Sequence, residues 1–301
     1  MRARLHVSPI VLAVVLGSCA THRSPAIRPA SWTVHRHDRP QANFTLEEQQ
    51  RIEKNCPFGY PRIDPDVGWG PTHFVIREGY VLEHSSELKI PLWVCEGIVR
   101  AQLDGSIPRK DAFQPDPLLP PGERAELKDY KNSGYDRGHM APAGDQTVDP
   151  QLKEETFFLS NMAPQEGALN QQIWRELEDK AREWLQSRGA GFIVTGSLFY
   201  EPEEEDPNTA DGFINYFTIG TGLVAVPTHF YKIVAAQNAD GSWDTIGFVM
   251  ENRKYARPYR WEDHIQAIDW IEERAGLDFM PDLDPVTEQQ LESTPSSLWS
   301  P

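Results

Sequence analysis

Residues 135–145 read Tyr-Asp-Arg-Gly-His-Met-Ala-Pro-Ala-Gly-Asp, which places a carboxylate, Asp136, a guanidinium, Arg137, and an imidazole, His139, almost side by side. A neutral imidazole can take a proton from water near pH 7, and a guanidinium beside it can hold the charge of a phosphate or carboxylate. Pro142 and Gly144 force a turn just after His139, so the segment is expected to be a loop that presents these side chains. Further on, Asn170, Trp174, Glu178 and Arg182 recur every four residues, which on a helix makes one stripe. An amide oxygen, a carboxylate and a guanidinium along such a stripe suit a hydrated divalent cation beside a phosphate, because Mg2+ prefers oxygen ligands and keeps several waters. Residue types alone leave plainer readings open. Asp136 and Arg137 can be a surface ion pair, His139 a core histidine, Glu178 and Arg182 an i,i+4 pair, and Asn170 a helix-start residue.

The elements that would carry these residues are legible in part. Leu169, Ile173, Leu177, Ala181 and Leu185 follow one another at four-residue spacing and Gly189 comes next as a stop, which predicts an amphipathic helix. Thr45-Leu46-Glu47-Glu48 fits a capping box that opens a short helix through Lys54, and the folded domain is expected to begin there and run over residues 45–280. Alternation of β-branched and aromatic with polar residues over 73–100 predicts a β-meander, with Gly79 between strands. Residues 105–121 hold Pro115, Pro117, Pro120 and Pro121 and are expected to be a loop. Buried strands are predicted at 192–196, 223–226 and 230–235, with the acidic loop 201–206 between them. A last helix is predicted from Trp261 to Ala275 with Gly276 at its end, followed from residue 281 by a flexible acidic tail. Without repeats or internal linkers, one α+β domain is the economical reading. Gly220-Thr221-Gly222 imitates a dinucleotide fingerprint, but Pro227 follows in a strand-like run where a helix should open, and the reading is rejected.

The N-terminus stands apart. Arg2 and Arg4 precede a short apolar run that ends at Leu16-Gly17-Ser18-Cys19, so residues 1–18 are expected to be a signal peptide with a lipobox, and Cys19 a lipidated membrane anchor at the bacterial cell envelope. Residues 19–44 read as a flexible tether. Cys56 and Cys95 are then a pair that an oxidising compartment would allow to join, and two buried thiols are the equal alternative. The net charge of −16 argues against a protein that coats nucleic acid, yet a cleaving enzyme needs only a local cationic site.

Taken together, the segments 135–145, Ser160 to Gln165, Leu169-Asn170 through Trp174 to Glu178, Thr195 to Phe199 and Val226 to Lys232 resemble the DNA/RNA non-specific endonuclease family, which includes the secreted Serratia-type nuclease and mitochondrial endonuclease G. The resemblance spans about residues 55–280. It implies a ββα-metal (His-Me finger) nuclease fold with a central mainly antiparallel sheet flanked by helices. It also implies one Mg2+, with Mn2+ or another divalent ion as a substitute, DNA and RNA as substrates, and a homodimer. By the same resemblance His139 falls at the general base, Asn170 at the metal ligand and Glu178 at the acid that holds a water of the metal. Arg137 and Arg182 fall at positions that stabilise phosphate charge, and Arg109 is a looser match to a third such arginine. Asp136 orients its neighbours and Asn161 supports the site from behind. The alternative is a catalytically silent envelope lipoprotein that keeps the fold for binding.

Overall fold

Thr45 opens the first helix as its sequence demands: its side chain accepts from Glu48 N at 3.3 Å, and the Glu48 carboxylate accepts in return from Thr45 N at 2.8 Å. In the computed structural model, which describes residues 2–6, 23–24, 44–64, 67, 69–205, 210 and 212–299, this is α1, Leu46–Asn55. The expected meander follows as β1 (Thr72–Ile76), β2 (Val81–Ser85) and β3 (Pro91–Val99). A hairpin of β4 (Tyr135–His139) and β5 (Met162–Glu166) leads to the long helix α2 (Trp174–Arg188). Then come β6 (Ala190–Leu198), β7 (Phe213–Ile219), β8 (Val224–Val226), β9 (His229–Gln237), β10 (Trp243–Glu251) and β11 (Ile265–Gln266). Two helices close the chain, α3 (Ile268–Ala275) and α4 (Pro285–Glu292).

Seven strands form the central sheet in the order β11-β10-β9-β6-β3-β2-β1, each antiparallel to its neighbours. The middle strands are covered on both faces and are buried along nearly their whole length, which is why β3, β6 and β9 read as apolar runs. The apolar face of α2 is buried as its spacing requires: Leu177, Ala181 and Leu185 are fully inaccessible, and Gly189 ends the helix at φ 99°. On the other side, α1 lies close against β3 because Gly97 has no side chain. A Cβ there would stand 2.0 Å from Lys54 O, and Gly97 N donates instead to Asn55 Oδ1 at 3.0 Å.

Several expectations change. The last helix starts at Ile268 and not at Trp261: residues Trp261–His264 make one tight turn, and Ile265 then pairs with Phe248 to finish the sheet edge, so tertiary pairing overrides helical spacing. The segment after Pro281 carries α4, and it ends with Trp299 packed on Trp184 at 5.2 Å between ring centroids. Residues 105–121 hold no helix or extended strand. Cys56 and Cys95 are free, buried thiols, with Cys95 Sγ donating to Asn55 O at 2.9 Å. Of the expected leader, Arg2–His6 pairs antiparallel with β7 and Arg23–Ser24 lies beside it; Cys19 and most of the tether fall outside the described residues. Among the described residues no helix is long and apolar enough to cross a membrane.

His84 in β2 is fully buried, and burial, helped by nearby His73, pushes its pKa down from 6.5 to about 3. The folded state keeps the ring neutral while the unfolded chain takes up a proton below about pH 6.5. The stability tied to this residue is therefore full above that pH and is lost as the pH falls toward 3. From pH 8 to pH 5 the loss is about 2 kcal/mol, at about 1.4 kcal/mol per unit. Urea unfolding of the wild type and of His84→Leu should show the variant gaining that much on the wild type between the two pH values. An unchanged difference would mean that His84 is not acid-sensitive.

Candidate active site

β4 and β5 pair from Tyr135 opposite Glu166 to His139 opposite Met162, and the chain then turns into the helix that begins at Leu169. Two strands and a helix thus set His139 at the end of one strand and Asn170 at the start of the helix, in one cleft of about 1040 Å³. The segment 135–139 is strand and not loop; the expected turn comes after it, at residues 141–145. Arg137 and His139, two apart on β4, share a face. That face rests on two phenylalanines: the Arg137 guanidinium lies 4.0 Å above the Phe113 ring, and the His139 ring meets Phe157 edge to face at 5.0 Å. Arg109 sits over Phe157 at 5.4 Å and pairs with Asp111 at 2.7 Å. The loop that brings Arg109 and Phe113 is anchored by fully buried Asp116, which accepts from Arg77 at 2.7 Å and from Ser160 Oγ at 2.5 Å.

His139 is 9 % exposed, and its Nε2 is buried without a hydrogen-bond partner among the described residues. Burial, reinforced by the charges of Arg109 and Arg137, pushes its pKa down to about 3, so the ring is neutral at physiological pH. Behind it, Asn161 ties down the backbone that follows. Its Oδ1 accepts from Ala141 N at 2.9 Å, and its Nδ2 donates to Ala141 O and Thr156 O at 2.9 and 2.8 Å. Gly138 fits because a Cβ would fall 2.3 Å from Gln165 Oε1.

Asn170 Nδ2 donates to Asp136 Oδ2 at 2.9 Å, and Gln171 Nε2 donates to the same oxygen at 2.8 Å. A carboxylate only accepts, so Asp136 fixes which end of the amide faces it and leaves Asn170 Oδ1 as the available acceptor. Residues Leu169–Ile173 form a wide π-type turn ahead of α2. That widening breaks the expected single stripe: Trp174 turns into the core, fully buried, while Asn170, Glu178 and Arg182 line the cleft. The Glu178 carboxylate makes no hydrogen bond to a protein group among the described residues, and burial raises its pKa to about 7 against the pull of Lys232 and Arg182. Arg182 pairs with buried Asp145 at 2.6 Å and with Asp179. An amide oxygen and a carboxylate without protein partners, next to a guanidinium held in place, fit a hard, hydrated divalent cation.

A model of the DNA/RNA non-specific endonuclease family matches residues 68–285. The chain belongs to this family. It is 35% identical over 208 residues to human mitochondrial endonuclease G, covering 69% of each chain. To the mitochondrial nuclease of Saccharomyces cerevisiae it is 34% identical over 232 residues, covering 74% of this chain and 70% of that one. Its fold superposes on a crystal structure of the EndoG/EndoGI complex with a TM-score of 0.68 at 29% identity, covering 81% of this chain and 95% of that one.

For a non-specific endonuclease the acidic net charge is less of an obstacle than it first looks. Arg109, Lys131, Arg137, Lys153, Arg175 and Arg182 line the cleft, against Asp111, Asp136, Glu178 and Asp179. The endonuclease cleft holds seven of the residues singled out in the sequence: Arg109, Asp136, Arg137, His139, Asn170, Glu178 and Arg182. Sequence reasoning missed Phe113 and Phe157, which lie far from His139 along the chain, in segments without a periodic pattern. It also missed the role of Lys232, fully buried in β9 behind the cleft, although the motif around it was visible.

Proposed function

We propose that this endonuclease hydrolyses phosphodiester bonds of DNA and RNA with His139 as general base and Asn170 as metal ligand. What carries the reading is the convergence in one cleft of the neutral His139 imidazole with an Asn170 amide whose oxygen is turned away from Asp136. Arg137, Arg109 and Arg182 hold the phosphate and the charge that grows on it in the transition state. The His139 imidazole takes the proton of the attacking water. A divalent cation such as Mg2+, when bound, supplies Lewis-acid polarisation of the phosphoryl oxygen and neutralises the leaving oxygen. Asn170 Oδ1 would hold it, Glu178 would accept from its waters, and Asp136 keeps Asn170 turned the right way.

Digestion of supercoiled plasmid and of RNA, with Mg2+ and with EDTA, tests this directly. Cleavage that survives EDTA would remove the metal from the mechanism, and no cleavage at all would favour a silent binding lipoprotein. Asp136→Ala should raise the Mg2+ concentration needed for half-maximal activity by about 10–100-fold, as loss of a ligand-orienting partner does. Asn170→Ala should raise it further and be partly rescued by excess Mg2+, and a variant with the wild-type Mg2+ response would cancel that assignment.

The leader and lipobox support export to the cell envelope with Cys19 as a lipidated N-terminus; mass spectrometry of the mature chain checks both.

A further inference from the structure

Outside the cleft lining, α3 and α4 bring Asp269, Glu272 and Glu292 together, and one carboxylate oxygen from each lies within 4.8 Å of the other two. Glu292 is 2 % exposed, and its Oε1 is buried without a hydrogen-bond partner among the described residues. The charges acting on Glu292 are carboxylates alone, those of Glu288, Asp269 and Asp278. Glu272 gains one backbone donor, Phe279 N at 2.5 Å, but faces Glu292, Asp278 and Asp269 as well. A buried, unpartnered carboxylate among like charges is costly to keep ionised, and it either holds a proton or coordinates a cation.

We propose that Asp269, Glu272 and Glu292 form a second, structural site for a divalent cation, Ca2+ by preference. The donors are all oxygens, and three oxygens this close fit one coordination sphere of about 2.3–2.6 Å radius. Ca2+ accepts an irregular set of six to eight ligands, whereas Mg2+ demands a near-ideal octahedron. Asp269 is exposed, so water can complete the shell from that side. The ion ties α4 to α3 and so holds down the C-terminal segment. The same segment is also tied by Thr245 Oγ1 donating to Leu291 O, by Ser296 Oγ donating to Thr245 O, and by Trp299, which packs on Trp184 of α2 and under the Arg188 guanidinium at 4.2 Å. The site thus braces the back of the helix whose front faces the cleft.

Calorimetric titration of the full chain with CaCl2 alone tests the site. It is best done with Asn170→Ala, which removes the ligand proposed in the cleft. That variant should still take up Ca2+ with a dissociation constant on the order of 10⁻⁴–10⁻³ M, the range of extracellular modules, and its Tm should rise by several degrees. Adding Asp269→Asn, at an exposed position, or Glu292→Gln should abolish one equivalent of uptake and the rise in Tm. Metal-free Tm should stay at or above that of the parent, because Asp269→Asn removes a repelling charge and Glu292→Gln puts an isosteric amide where burial and acidic neighbours already disfavour the charged carboxylate. No uptake by the Asn170→Ala chain, or full uptake by the Asp269→Asn chain, overturns the proposal, and neither result depends on whether the cleft is active.

Discussion

His139→Ala is expected to lower the turnover of plasmid cleavage by roughly 10²- to 10⁴-fold, the range for a lost general base, while the protein stays folded. The imidazole is wedged between Phe113 and Phe157, so its loss leaves a void and costs about 1–3 kcal/mol, too little to unfold a domain with so extensive a core. Added imidazole, which can enter that void, should restore part of the rate. The low pKa of His139 makes it a weak base in the free protein, because Arg109 and Arg137 add to the effect of burial. On the proposed mechanism, a phosphodiester between those two arginines would cancel their charge and raise the basicity of the imidazole. Near-normal turnover of the variant, or a loss of rate that tracks a loss of folded protein, would remove His139 from the mechanism.

What the sequence disclosed follows from range. The core face of α2 was readable because Leu177, Ala181 and Leu185 repeat within one element, and the capping box at Thr45 is local by definition. The residues that line the cleft were noticeable because Asp136, Arg137 and His139 sit on one strand, and Asn170, Glu178 and Arg182 on one helix and its opening turn; their roles came from the family resemblance. Long-range consequences were hidden. Helical spacing from Trp261 gave no hint that Ile265 would be captured by Phe248. The π-type turn that sends Trp174 inward left no mark on a four-residue period, and the two phenylalanines under His139 come from irregular segments. Strand β10 passed unnoticed because Trp243 to Glu251 alternates only weakly.

The second large effect is expected from Lys232→Met. Lys232 Nζ is wholly buried, donates to Thr195 Oγ1 at 2.6 Å and lies 5.2 Å from the Trp174 ring centroid. Burial lowers the pKa of the ammonium, and Glu178, Glu96 and Asp145 work in the opposite sense. Glu96, also buried, is pushed well above the usual carboxylate range by burial and by Asp145, and Glu178 is the carboxylate that interacts most strongly with the lysine charge. Removing the Lys232 ammonium leaves Thr195 Oγ1 without its charged donor, a loss of about 1.5–3 kcal/mol, which urea unfolding would register as a lower midpoint. The catalytic consequence has a definite sign. With Lys232 present, Glu178 titrates near 7 and is ionised above that pH; without it, the pKa rises further and the carboxyl stays protonated at neutral pH. The acid limb of the pH–rate profile should therefore move to higher pH in Lys232→Met, with activity partly recovered in alkaline buffer. A Thr195→Val control, which removes a hydrogen bond but no charge, should lose stability without that displacement. An unmoved profile in a folded Lys232→Met chain would mean that the buried lysine holds the sheet together but does nothing for Glu178.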